Sequence, residues 1–262
     1  MIDTHCHLDK AEFDADRDAV LARAKGAGVS DVIVPAIGPD GWSALAAWAR
    51  RTPGAHFGLG IHPQILPALD PDSDERRLAE LDEALSRGGA VGVGECGLDA
   101  NSGIAGPGPW PAPMDRQVAV LRGHLALARK HRLPAMLHCL GAHDRLLEIL
   151  SEAPLPFGGV LHSYSGSADR VRPYADCGLF FSFAGPLTYE RARKPAAAAR
   201  AAPRDRIVLE TDAPDQTPRP HRGRNEPAFL PDIAAGLAAA LRLGAAEVDA
   251  LTTANARALF RL

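Results

Sequence analysis

Short apolar runs separated by longer segments of helical spacing restrict the fold of this chain more than any other property. Strand-like runs fall at residues 1–7, 30–37, 56–61, 90–96, 134–139, 157–163, 179–184 and 206–212. Helical spacing marks 18–27, 41–50, 75–87, 117–131 and 145–150, and one short helix accounts for the alanine-rich stretch 196–202. Parallel strands need crossovers, and eight successive strand–helix units are what a closed (β/α)8 TIM barrel requires; a doubly wound open sheet is the rival. The run 247–262 reads as an additional C-terminal helix, and no shift in composition marks a boundary. The expectation is therefore an α/β chain with a single domain over residues 1–262.

Composition narrows the function classes. Twenty-nine basic against 32 acidic residues give a formal charge of −3, so no broad basic surface for duplex nucleic acid is advertised. With 46% hydrophobic and 23% charged residues, long disorder is excluded. The chain has no run of about 18 apolar residues, and MIDTHCHLDK lacks the basic start and apolar run of a signal peptide. A cytoplasmic protein without membrane contact is expected. Cys6, Cys96, Cys139 and Cys177 are scattered with no C-x-x-C pair, which reads as reduced thiols.

In such a barrel the reactive side chains sit at the carboxyl ends of strands. The first strand candidate ends Thr4-His5-Cys6-His7, and alternation turns His5 and His7 one way and Cys6 the other. The fourth ends in Glu95, the fifth in His138, the sixth in His162 and the eighth in Asp212. Four imidazoles and two carboxylates suit zinc, manganese or related divalent ions, and six ligands exceed what one tetrahedral ion takes. Two divalent ions are expected, with Glu95 bridging them and Asp212 orienting a water or accepting its proton. Asp3 and Glu210 lie one layer deeper, as supports for the ligands or as ordinary ion pairs. Cys96 and Cys139 each follow a ligand by one residue and should face the helices as core thiols. His56, His131 and His143 read as ordinary hydrogen-bonded histidines.

Two loops would flank the same mouth. Residues 101–113 are rich in Gly and Pro, and Trp110 there either packs over the prolines or stacks on a base. Residues 215–226 carry Arg219, Arg222, Arg224 and His221 beside the last ligand. His62, Arg222 and Arg224 are the candidates for substrate contact, the arginines because guanidinium groups grip phosphate in bidentate fashion. Solvated surface charge is the alternative for these arginines.

The ordered motifs IDTHCH, GECGLD at 94–99, LHC at 137–139, HSYSG at 162–166, ETDAP at 210–214, RNEPA at 224–228 and NARALF at 255–260 resemble those of the TatD family of metal-dependent hydrolases, a branch of the amidohydrolase-like barrels. The likeness spans nearly the whole chain. It implies a two-metal deoxyribonuclease that removes nucleotides from DNA, often from the 3′ end with magnesium, and it carries the metal roles onto His5, His7, Glu95, His138, His162 and Asp212. The chain departs from the family pattern at Leu140, where an arginine is usual, and at Gly141, where an acidic residue is common. Gln64 stands where a second histidine is frequent, and His124 where glutamine is usual.

The leading expectation is metal-dependent phosphodiester hydrolysis of DNA or short oligonucleotides. The modest charge favours ends and single strands over intact duplex. Ester or amide hydrolysis, such as removal of a D-amino acid from tRNA, is a second reading kept open by Leu140. A non-catalytic metal- or nucleic-acid-binding protein is a third.

Overall fold

Apolar runs buried on both faces can be satisfied only by a parallel sheet with helices outside it, and that is how the chain folds. The computed structural model describes residues 1–101 and 111–262, so Trp110 and most of the loop 101–113 lie outside the described residues. Among the described residues, β1 (Ile2–Asp3), β2 (Asp31–Pro35), β3 (Ala55–Leu59), β4 (Ala90–Asp99), β5 (Ala135–Leu140), β6 (Gly159–Leu161), β7 (Leu179–Phe183) and β8 (Ile207–Leu209) pair in chain order. Every pair is parallel. Thr4 N donates to Leu209 O at 3.0 Å and Asp212 N to His5 O at 2.9 Å, which joins the last strand to the first. The structure is thus a TIM barrel, as expected.

The helices are α1 (Arg17–Gly26), α2 (Pro39–Ala49), α3 (Asp74–Ser86), α4 (Met114–His131), α5 (His143–Glu152), α6 (Val171–Asp176), α7 (Arg193–Ala201), α8 (Leu230–Leu241) and α9 (Ala245–Phe260). On α4, Val118, Leu121, Leu125 and Ala128 recur at helical spacing and are buried against the strands. No single helix among the described residues is long and apolar enough to cross a membrane.

The last helix does not join the outer ring. Ala256, Leu259 and Phe260 of α9 pack with Ile2, Ile33, Met136, Val160 and Val208 from five strands, closing the amino end of the barrel with apolar side chains. The opposite, carboxyl end is left for the site.

The regular strands are shorter than their apolar runs. β1 stops at Asp3 and β8 at Leu209, yet the chain beyond stays bonded to its neighbours: Cys6 N donates to Ile33 O (3.1 Å) and His7 N to Ala213 O (2.7 Å). At Asp212, φ of 56° breaks the extended run. β4 differs in the other direction, extending to Asp99, and its register against β5 slips between Val93 and Cys96. Both of those residues belong to the outer core. The slip is a bulge that places Gly94 and Glu95 between two outward residues. Gly97 then has φ of 152°, and a Cβ there would run into the carbonyl of His138, so only glycine lets β4 and β5 approach closely at this level.

Candidate metal centre

The six residues read as ligands come together at the carboxyl end of the barrel, all buried or nearly so. His5 Nε2 and His7 Nε2 lie 3.3 Å apart. Both face Glu95 Oε2, at 3.3 and 3.6 Å, and Asp212 Oδ1, at 3.8 and 3.7 Å. The other Glu95 oxygen, Oε1, faces His62 Nε2 at 3.1 Å, His138 Nδ1 at 3.3 Å and His162 Nε2 at 3.6 Å. One carboxylate therefore separates two clusters of imidazole nitrogens.

The residues behind these groups set their orientation. Glu210 Oε1 accepts from His162 Nδ1 at 2.8 Å and from Ser163 N at 2.6 Å, which turns Nε2 of His162 toward Glu95. Asp99 Oδ2 lies 3.0 Å from His138 Nε2 and turns its Nδ1 inward in the same way. Gln64 Nε2 donates to the same Asp99 oxygen at 3.1 Å. Asp3 accepts from Thr211 N and His5 N, at 2.9 and 3.3 Å, and so ties the two ligand-bearing segments together one level below. Burial pushes the Asp3 carboxyl up to about 8. On the far side of Asp212, Oδ2 accepts from Gln216 Nε2, and Gln216 Oε1 accepts from Ser163 Oγ at 2.8 Å.

Three of these residues, Ser163, Asp212 and Gln216, have φ of 41°, 56° and 53°. Non-glycine residues in the left-handed region are uncommon, and their concentration here is the strain expected of a functional site.

His62 has a distinct role within the cluster. Gln64 N donates to its Nδ1 at 3.1 Å, so the proton of the neutral ring sits on Nε2. Burial, opposed by Glu95, lowers its pKa and keeps the ring neutral. His62 thus faces the centre as a hydrogen-bond donor.

Burial also pushes His7 well below its ordinary pKa, with His5 adding to the effect. Burial alone would raise Glu95, but His62, His5 and His162 hold it well below the carboxylate range. Burial opposes charge on His162, yet Glu210, Asp212 and Glu95 bring it up to about 10. His138 is raised against its own burial by Asp99 and Glu95. Asp212 is raised by burial, against the pull of His162 and His5.

The donor set fits divalent cations. Ligand atoms of His5, His7 and Asp212, of His5, His162 and Glu210, and of His62, Glu95 and His138 lie within 4.8 Å of one another in each group. The hydrogen bonds already made by His62 and Glu210 leave His5, His7, Glu95, Asp212, His138 and His162 as the atoms free to ligate. Nδ1 of His5 and of His7 is buried without a protein partner, and their two Nε2 atoms face each other. Gathering such groups away from water is costly unless positive charge lies among them.

The other sequence-derived candidates divide. Arg224 donates to both oxygens of Asp16, at 2.8 and 2.7 Å, and stacks over Phe13 at 4.6 Å. Asn225 donates to Thr211 O and Asp215 O, and Glu226 accepts from Arg23 at 2.8 and 2.6 Å. Residues 224–226 therefore strap the late loop to α1, at its N-cap Asp16 and at Arg23, and to the segment that follows β8. Arg222 is exposed and lines a hollow of about 520 Å³ with Arg219, Tyr189 and Gln216. His56 pairs with Asp31 and His131 with Asp82, at 2.9 and 2.6 Å. Cys6, Cys96 and Cys139 are buried in the outer core, and burial raises each thiol, Cys139 to about 12. His124 is a wall residue: its Nε2 accepts from Ile61 N at 2.9 Å, and its Nδ1 lies 2.8 Å from Val120 O. Asp99, Gln216 and Ser163 carry site contacts that the sequence reading did not assign. For Asp99 the signal was present, because it shares parity with Glu95 two steps along β4.

A parallel barrel with imidazoles and carboxylates gathered at its carboxyl mouth defines a metal-dependent hydrolase of the amidohydrolase-like class. The family described as TatD related DNase matches residues 2–261. The uncharacterized metal-dependent hydrolase YjjV of Escherichia coli K12 is 35% identical over 264 residues, covering 100% of this chain and 98% of its own. Its crystal structure superposes with a TM-score of 0.90 over 100% of this chain and 98% of that one, at 34% identity. The uncharacterized metal-dependent hydrolase YabD of Bacillus subtilis is 32% identical, covering 100% of this chain and 99% of its own. A protein of Cronobacter sakazakii named 3'-5' ssDNA/RNA exonuclease TatD is 35% identical, covering 99% and 97%. The chain belongs to the TatD family of metal-dependent hydrolases.

Proposed function

We propose that this hydrolase is a two-ion phosphodiesterase that removes nucleotides from the ends of single-stranded DNA. The observation that carries the reading is the division of the buried Glu95 carboxylate between His5 and His7 on one oxygen and His138 and His162 on the other. His5, His7, Glu95 and Asp212 would hold one divalent ion, zinc, manganese or magnesium, and Glu95, His138 and His162 a second. When bound, such a pair supplies Lewis acidity to a phosphoryl oxygen and makes water more acidic.

The chain's own groups do the rest. Asp212 Oδ1 faces the centre while Gln216 holds Oδ2, which leaves Oδ1 as the atom placed to take the proton of the attacking water. The Nε2–H of His62, which faces Glu95 Oε1 at 3.1 Å, would turn to a phosphoryl oxygen once that carboxylate takes an ion, an interaction that strengthens as charge builds there. Arg222 and Arg219, in a hollow that shares Gln216 with the centre, meet phosphates of the adjoining chain. The small net charge suits a short footprint at an end. Relatives named as exonucleases agree with this reading.

Digestion of a single-stranded oligonucleotide with added divalent ion is the test. His138→Ala and Asp212→Ala are each expected to lose at least about 10³-fold in rate. Equal activity in all three proteins would refute the proposal. Leu140, in the place of an arginine, supports a second reading as an acyl ester or amide hydrolase. Turnover of acyl substrates alone, in a panel that includes phosphodiesters, would establish that reading in place of the first.

A further inference from the structure

Beside the metal centre lies a hollow of a different character. It holds about 300 Å³ and is walled by Tyr164, Phe183 and Leu187, with Ser163 and Ser165 also lining it and Lys194 exposed at its edge. Ser163 connects it to the chemistry: the residue follows the ligand His162, and its hydroxyl reaches Asp212 through Gln216. Ser165 is fixed, with Oγ 3.3 Å from Cys139 O and 3.4 Å from His143 Nε2, and His143 Nδ1 in turn lies 3.1 Å from Tyr174 Oη. Among the described residues Lys194 makes no hydrogen bond or ion pair.

Apolar walls beside a charged reaction centre suit a ligand with a flat apolar face and a polar edge. Two hydroxyls meet that edge, and a free ammonium meets an anion next to it. The volume lies at the lower end of the range for small-ligand pockets, about 300 to 1,000 Å³, which suits one base and excludes two stacked ones. We propose that this hollow receives the nucleobase of the nucleotide whose phosphodiester lies at the metal centre, with Lys194 beside its phosphate. The inference rests on the nuclease reading and deepens it, by making one base a recognised part of the substrate.

The test compares two ligands that differ only by the base, deoxyadenosine 5′-monophosphate and deoxyribose 5-phosphate. Their affinities for the metal-loaded full chain are measured by calorimetry. The base is expected to improve affinity about tenfold, by burying its apolar face against the walls of the hollow. Leu187→Trp, which fills the hollow, should abolish that increment and leave deoxyribose phosphate binding within about twofold; Pro195→Phe, at a half-buried position in the first turn of α7 that lines the same hollow, serves if the first variant does not fold. Equal affinity of the two ligands for the unaltered protein, or equal weakening of both by the filled variants, would overturn the assignment. Oligonucleotide digestion separates the two readings. A base increment without digestion supports the hollow and ends the nuclease reading, whereas digestion without an increment ends the proposal made here.

Discussion

The two ends of the barrel are built from the same strands to opposite purposes. At the amino end Met136, Val160 and Val208 point inward and pack under α9. Two to four residues further along the chain stand His138 on β5, and His162 and Asp212 just past the ends of β6 and β8. The amino end needs nothing but hydrocarbon, and its close packing favours the fold outright. The carboxyl end gathers groups that would be better solvated; mutual hydrogen bonds offset part of that burial, and cations held as proposed would offset the rest. Stability and chemistry are thus separated along the barrel axis. Changes at one end should be readable without disturbing the other.

Truncating the apolar plug tests that separation most severely. Phe260 is 3% exposed in the cluster under the barrel. Phe260→Ala is expected to destabilise by about 3–5 kcal/mol, through lost burial and the cavity left behind. Urea unfolding measures this, and metal affinity at low temperature should stay as it was. A large change in metal affinity with the fold intact would show that the ends are coupled.

How much of this was legible in the chain follows from the same axis. Period-two alternation, together with the rule that sites sit at strand carboxyl ends, brings out His5, His7, Glu95, His138, His162 and Asp212 as a set, and it sends Cys6, Cys96 and Cys139 outward. Alternation also gave Glu210 and Asp3 the right depth, but parity cannot say which atom a carboxylate will meet. What stayed hidden depends on departures from regular backbone. The bulge at Gly94 and Glu95 puts Val93 and Cys96 on one face, which strict alternation forbids. The contact of Gln216 with Asp212 needs positive φ at both residues, in a loop with no period to read. The proton position on His62 depends on a backbone N–H two residues later. Arg224 looked like a free cation because nothing in the sequence shows that Asp16, 208 residues away, lies against it.

The wall of the upper half carries a pH dependence of its own. Burial lowers the pKa of His124 to about 4, from an ordinary value near 6.5. Between those values the unfolded chain binds the proton and the folded chain does not, so stability is full above about pH 6.5 and falls as pH drops toward 4. The loss amounts to about 3 kcal/mol at an exchange of about 1.4 kcal/mol per pH unit. His124→Gln, with a side-chain oxygen available for the N–H of Ile61, should flatten this slope. Chemical denaturation of both proteins across the interval is the measurement, and identical slopes would remove His124 as the cause.

Glu210 offers a finer cut within the carboxyl end, because it acts through His162 instead of on substrate. Glu210→Gln keeps an acceptor for His162 Nδ1 but removes the charge. Metal affinity is expected to fall by about 10- to 100-fold, the usual effect of altering the partner of a ligating histidine. Competition with a chromophoric chelator reads it directly. Because His162 is raised to about 10 by Glu210, Asp212 and Glu95, metal uptake at neutral pH should release a proton from the unaltered protein, and less from the variant. An unchanged affinity and an unchanged proton count would make the Glu210 contact a packing detail.

The smallest effects should come from the late loop, where two arginines two residues apart are expected to part company. Arg222 is exposed beside a hollow that shares Gln216 with the centre, whereas Arg224 is held by Asp16 and the Phe13 ring. Arg222→Ala should raise KM for an oligonucleotide a few-fold and weaken its salt dependence, as loss of one phosphate contact does. Arg224→Ala should leave KM in place and lower the thermal midpoint only slightly, because ion pairs open to water contribute little. If Arg224→Ala raised KM and Arg222→Ala did not, the strap formed by residues 224–226 would itself be part of the substrate surface. The boundary between structure and chemistry would then have to be drawn below the late loop, at β8.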